Sequence, residues 1–242
     1  MKALKTIFGA VPINVDIPPI VAAYAIPNNN AVSKLDLSLS VRPGIVSDIT
    51  PHTAKPIGNN INVVENPIAA KQELGLFPDP FGIYERLTPR EYIQYFAELS
   101  GMSTAFAIEA TTKVIAELKL ADIADRRCKG FSQGQRMKTA LAQAIVHRPK
   151  NIILDEPTRG LDVMSTRVLR DMLRKLKSQG HCILFSSHVM QEVASLCDQV
   201  IVMADGKAVA IGSPEELCVL TNKESLEEAF LKLIGTDEGI AA

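Results

Sequence analysis

Residues 151–162 read NIILDEPTRGLD, and no other stretch constrains the chain as much. Ile152, Ile153 and Leu154 form a short unbroken apolar run, as expected of a strand buried on both faces of a parallel sheet. Two carboxylates, Asp155 and Glu156, follow at once. Ligands of open α/β sheets bind beyond the carboxyl ends of the strands, so Asp155 stands where a residue holds a hard divalent cation directly or through water. Glu156 stands where a carboxylate orients or deprotonates a water attacking a phosphate. The bland alternative is a polar turn at a strand end. The flanking segments favour chemistry: FSQGQ, residues 131–135, lies upstream, and FSSHVMQE, residues 185–192, carries His188 downstream.

The 242 residues, 47% of them hydrophobic, suffice for one α/β domain or one domain with an inserted subdomain. A net charge of −1 gives no electrostatic reason to expect nucleic acid or an anionic membrane surface as partner. Cys128, Cys182, Cys197 and Cys218 lack metal-ligand spacing and read as reduced thiols of a cytosolic protein. No apolar run is long enough to span a bilayer. Lys2, Lys5 and the Ala23-Tyr24-Ala25 triplet mimic parts of a signal peptide, but Asp16, Pro12, Pro18 and Pro19 interrupt its apolar centre, so secretion is not expected.

Local patterns place the elements. Leu35, Leu37, Leu39 and Val41 alternate with polar residues as in a half-exposed strand, ending at the turn residues Pro43 and Gly44. Thr88, Pro89 and Glu91 start a helix as N-cap, first helical residue and capping-box partner, and Gly101 ends it. A second helical pattern runs through Ile108, Val114, Ile115 and Leu118. Ser132 opens the next helix with Gln135 as its capping-box partner, its stripe being Met137, Leu141, Ala144 and Ile145. The free amides of that helix end, with Gly134 and a serine hydroxyl, suit a phosphate. Ser165 is expected to cap a helix bearing Leu169, Leu173 and Leu176, before a buried strand over 182–185. Strands over 199–203 and 207–211 flank a turn at Asp205 and Gly206, and helices follow from Ser213 and Ser225.

FSQGQ, LDEP and the histidine of SSH, in this order, resemble the signature motif, Walker B segment and switch histidine of the ATP-binding-cassette (ABC) ATPases. The wording from Gly130 to Val163 is similar to the sodium-efflux, NatA-like branch of ABC exporters. The resemblance runs from Leu74 to the C-terminus. It implies a P-loop NTPase-like α/β core with a mostly parallel sheet, an antiparallel β part and an inserted helical subdomain. The chain would be one nucleotide-binding domain over 1–242, with a degenerate N-terminal part (1–73), a helical subdomain (88–127), an α/β core (128–217) and a C-terminal helix (218–242).

The resemblance further implies ATP and Mg²⁺ as cofactors. Asp155 would hold the metal, Glu156 and His188 would be catalytic, and Ser132, Gln133, Gly134, Gln135 and Asp162 would act on nucleotide across a dimer. Asp79 occupies the place of the family's Q-loop glutamine and is the second metal candidate. Tyr24, with Phe8 as runner-up, is the candidate for stacking on adenine. The family's G-x-x-x-x-G-K-[ST] loop is not matched: in TPHTAKP, residues 50–56, Lys55 takes the lysine's place, both glycines are missing and Pro56 replaces the hydroxyl. Residues 45–62 therefore read better as an irregular loop with no phosphate role than as a phosphate cradle.

By resemblance, then, this is the ATP-binding subunit of an ABC exporter, with sodium as the suggested cargo. It would work under a separate membrane permease, as a homodimer or heterodimer of nucleotide-binding subunits, cytoplasmic and peripheral on the inner face of the cell membrane. Nucleic acid is not an expected partner. The alternative is a hydrolysis-deficient subunit or damaged copy that acts only as an interaction partner. A soluble ABC ATPase of translation or DNA repair is a third reading.

Overall fold

The apolar run after Asn151 is a strand at the heart of the molecule. The computed structural model describes residues 20–25, 65–204 and 207–235. Among these residues a six-stranded sheet has the order β2-β3-β4-β1-β5-β6. Its strands are β1 (Ile20–Ala25), β2 (Leu74–Phe77), β3 (Asn151–Leu154), β4 (Cys182–Ser187), β5 (Gln199–Ala204) and β6 (Lys207–Gly212). β3 pairs in parallel with β2 and β4, and Phe77, Leu154 and Phe185 lie level in the register. β1 lies between β4 and β5, antiparallel to both, and β6 is antiparallel to β5. Four strands, β2 to β5, thus run in one direction, and β1 and β6 oppose them.

The order pairs both edges of β3, and both of its faces are covered: Ile152 and Leu154 on one face are fully buried, and Ile153 on the other is buried too. Burying side chains of this size contributes about 1.5–3 kcal/mol each, which explains why the run carries no polar residue until Asp155. Eight helices accompany the sheet among the described residues: α1 (Pro67–Gln72), α2 (Pro89–Leu99), α3 (Thr104–Glu117), α4 (Gln133–Ile145), α5 (Val163–Ser178), α6 (Met190–Leu196), α7 (Pro214–Thr221) and α8 (Leu226–Leu233). Met137, Leu141 and Ala144 form the buried stripe of α4, which packs on β2. The approach is close: a β-carbon at Gly75 would collide with the backbone oxygen of Ala144 and lie 2.9 Å from Pro149. His147 fastens the same junction, its Nε2–H donating to the Leu74 carbonyl at 3.2 Å.

Capping follows the sequence closely. Thr88, Ser132 and Ser213 each close a reciprocal capping box, with Glu91, Gln135 and Glu216, and Ser225 caps α8. α5 differs from expectation, because Asp162 is its N-cap and Ser165 lies inside the first turn. Both residue types cap well, and the carboxylate three residues earlier captures the Ser165 amide at 2.8 Å. α2 and α3 pack on each other, burying Tyr92, Ile93 and Ala97 against Ala107, Val114 and Ile115 in the same continuous core as the sheet. The Tyr92 hydroxyl donates to the Gly82 carbonyl at 3.0 Å, tying α2 to the loop after β2. The expected strand over 35–41, the turns at Pro43-Gly44 and Asp205-Gly206, and the candidates Lys55 and Phe8 lie outside the described residues.

Candidate functional site

Because β2 and β3 end at Phe77 and Leu154, level with Phe185 of β4, the residues that follow them meet the last residues of β4 at one edge of the sheet. The Asp155 amide donates to the Phe77 carbonyl at 2.8 Å, carrying the ladder one residue beyond β3. Asp155 is 4% exposed. Ser186, the penultimate residue of β4, donates its hydroxyl to Asp155 Oδ1 at 2.7 Å. Ser186 Oγ in turn accepts from the Glu156 amide at 2.9 Å. One hydroxyl on β4 therefore fixes both carboxylate residues that follow β3. A buried carboxylate needs such partners, since an unmet one costs several kcal/mol.

Glu156 has φ +44°, in the left-handed region. For a residue with a β-carbon this conformation costs about 1–2 kcal/mol. It coincides with a side chain brought across to β4: Glu156 Oε2 lies 2.9 Å from Nδ1 of His188. Nδ1–H is the donor toward an ionised carboxylate, which leaves Nε2 on an imidazole that is 64% exposed. Burial pushes the Glu156 carboxyl above the usual carboxylate range; His188 pulls it back, and the charges of Asp155 and Asp79 push in the same direction as burial. A carboxylate raised in this way is better matched to accepting a proton near neutral pH than an ordinary one.

Asp79 joins from the loop after β2. Its Oδ2 accepts from Arg159 Nη1 at 2.6 Å, and the aspartate side chain is only 21% exposed against 66% for the arginine. Phe77 and Phe81, on either side of it in sequence, pack with ring centres 4.8 Å apart and planes tilted by 44°. Arg159 is placed by a turn whose amide donates to the Glu156 carbonyl at 3.0 Å. The fold thus brings Asp79, Asp155, Glu156 and His188 together, as the motifs imply. Ser186 and Arg159 are the residues to which sequence reasoning gave no task. Ser186 had a legible signal, a hydroxyl at the end of the strand next to a carboxylate strand. Arg159 had none, since its partner lies 80 residues away.

The second group of candidates forms a separate place. Ser132 Oγ accepts the Gln135 amide at 3.3 Å and Gln135 Oε1 accepts the Ser132 amide at 3.1 Å, so these two side chains close their own helix end. Gly134 lies against the first turn of α5, where a β-carbon would sit 2.5 Å from Ser165 Oγ, and Gly160 approaches the Gln133 amide group. Asp162 accepts from the Ser165 amide and hydroxyl, which hold its carboxyl below the usual range. Beside it Val163 and Met164 are 81% and 67% exposed. Tyr24 lies on β1, level with Leu184 of β4 and Gln199 of β5.

The donor set fits magnesium. That ion takes one or two carboxylates and fills its remaining positions with water and phosphate oxygens. A buried Asp155 steadied by a neutral hydroxyl, with Glu156 beside it, is such a set. No helix among the described residues is long and apolar enough to cross a membrane.

A family model described as "ABC transporter" matches residues 47–159. The ABC transporter ATP-binding protein NatA of Bacillus subtilis is 36% identical over 188 residues, covering 77% of this chain and 76% of its own length. The linearmycin resistance ATP-binding protein LnrL of the same organism is 28% identical, over 78% of this chain and 64% of its own. A solved structure described as the ATP-binding subunit of an ABC transporter superposes with a TM-score of 0.64 at 24% identity, over 72% of this chain and 74% of that one. With the level strand ends, the buried Asp155 and the Glu156–His188 pair already in place, these likenesses settle the family: the chain belongs to the ABC transporter ATP-binding proteins.

Proposed function

We propose that the chain is the ATP-hydrolysing subunit of an ABC exporter and drives a separate membrane permease. The observation that carries this is the Glu156–His188 pair, 2.9 Å apart, beside the buried Asp155. Asp155 would hold the divalent cation, which would supply positive charge to the phosphates. Glu156 accepts a proton from a water as its oxygen bonds to the γ-phosphorus and the bond to the ADP oxygen breaks. His188 holds the Glu156 carboxylate through Nδ1–H and offers Nε2 toward the γ-phosphate. Ser132, Gln133, Gly134, Gln135 and Asp162 act on the nucleotide of a second subunit, identical or not. The outward-facing Val163 and Met164 beside Asp162 support that arrangement.

In this reading residues 1–242 form one nucleotide-binding domain. Residues 88–127 are the subdomain that meets the permease, 128–217 the α/β core, and 1–73 and 218–242 the terminal parts. The protein works on the cytoplasmic side of the membrane, and sodium is the cargo suggested by the wording of residues 130–163. Tyr24, Lys55 and Asp79 remain the candidates for adenine, phosphate and metal contact.

The test is a calorimetric titration with Mg-ATP of the wild type and of Glu156→Gln, followed by a phosphate-release assay. The expected result is micromolar binding by both proteins and turnover by the wild type alone. A second reading, a subunit that binds partners but does not hydrolyse ATP, draws on one observation: residues 50–56, TPHTAKP, lack both glycines of a phosphate loop. Absence of binding at millimolar ATP would favour it.

A further inference from the structure

Asp79 and Arg159 stand on adjacent loops that follow adjacent parallel strands, β2 and β3. Their contact at 2.6 Å is the side-chain hydrogen bond that joins those two loops among the described residues. Each partner is also anchored to the catalytic edge. Asp79 is close enough to Glu156 for its charge to act on that carboxyl, and Arg159 is one turn beyond Glu156, its amide on the Glu156 carbonyl. The arginine is 66% exposed, so solvent competes for its guanidinium and the contact is an easy one to break.

Both partners have a second ligand of matching chemistry. A guanidinium is shaped to hold phosphate oxygens two at a time, and a carboxylate is a magnesium donor. Metal-bound triphosphate presents both ligands at once, a cation and an anion, so it can replace the pair without leaving either charge unmet.

We propose that Asp79 and Arg159 form an exchangeable clamp. Without nucleotide the pair ties the loop after β2 to the loop after β3. Metal–triphosphate opens it, Asp79 turning to the cation and Arg159 to a phosphate oxygen. Arg159 is thus a positioning residue for Glu156 in the empty protein and a ligand residue in the loaded one. The proposal rests on the ATP-binding reading given above.

The experiment follows amide hydrogen exchange and ligand affinity in the full chain, for wild type, Asp79→Asn, Arg159→Gln, Arg159→Lys and the Asp79→Asn/Arg159→Gln double variant. In the nucleotide-free proteins, either single neutral substitution should speed exchange at Phe81, Gly82, Arg159 and Leu161, and the double variant should add nothing further. Affinity is then measured with Mg-ATP and with ATP in EDTA. Asp79→Asn should weaken Mg-ATP binding about tenfold, as loss of a group near a metal does, and leave ATP in EDTA unchanged. Arg159→Gln should weaken both, and Arg159→Lys should restore part of the loss.

Additive exchange effects, or a magnesium dependence untouched by Asp79→Asn while ATP still binds, would overturn the clamp and leave the ATP-binding reading standing. Wild-type protein that binds no ATP under either condition would overturn that reading, and the exchange step with it. A purely structural pair would change the nucleotide-free exchange rates but not the difference between the magnesium and EDTA titrations.

Discussion

Both halves of the sheet bury apolar strand residues, yet only one carries the chemistry. Across β2, β3 and β4 the strands run together with Phe77, Leu154 and Phe185 level in the register, so that Asp79, Asp155, Glu156, Ser186 and His188 meet. Across β1, β5 and β6 each strand opposes its neighbour, and successive strand ends fall on opposite edges. Val200 and Val202 on β5 are as buried as Ile152 and Leu154 on β3. Strand direction, not hydrophobic content, decides where polar groups converge.

The comparison is broken most severely by emptying the level row. Leu154→Ala should cost about 2–5 kcal/mol, from lost transfer energy and the cavity left behind, whereas Val209→Ala on the exposed face of β6 should stay within about 0.5 kcal/mol. Urea unfolding of both variants measures the contrast; equal losses would remove it. Ser186→Ala comes next. It takes a donor from Asp155 and an acceptor from the Glu156 amide, an expected loss of about 1–3 kcal/mol, with weaker magnesium dependence of ATP binding.

Glu156 sharpens the comparison from the opposite direction. Glu156→Gly should raise stability by about 1 kcal/mol by relieving the left-handed backbone, while abolishing turnover. Glu156→Gln isolates the charge. The folded protein raises the Glu156 carboxyl above its unfolded value, so its favourable contribution is complete below the ordinary carboxylate range and is lost as pH rises through the folded pKa. The glutamine variant, which cannot ionise, should therefore melt higher than wild type at neutral pH, with the gain vanishing in acid. A gain that persisted in acid would point away from charge. Asp162→Ala, remote from the strand ends, should cost only about 1 kcal/mol through the lost cap of α5, as read by thermal melting.

Much of the parallel side was legible because its signals are local. An apolar run before Asp155, serine or threonine caps three residues ahead of Gln135, Glu91 and Glu216, and the stripe of α4 all carry their meaning within a few residues. Less could be read where meaning depends on distant partners. The run Ile20–Ala25 is short, apolar and framed by prolines, and nothing in it says that it will enter the sheet between β4 and β5, reversed against both. The Asp79–Arg159 contact is hidden for the same reason. The left-handed turn at Glu156 escaped because glutamate has no preference for it; only the demand of His188 on one side and Ser186 on the other makes the turn worthwhile. The choice of Asp162 over Ser165 as cap was a contest between two good candidates three residues apart, decided by the rest of the turn.

The reversed strand has a consequence in time. β1 is synthesised before every other described element, but its two neighbours are Cys182–Ser187 and Gln199–Ala204. At ribosomal rates of about 5–20 residues per second, on the order of ten seconds or more separate its emergence from theirs. Throughout that interval IVAAYA has no partner strand to pair with, and the seam it fills can close only after residue 204 has emerged.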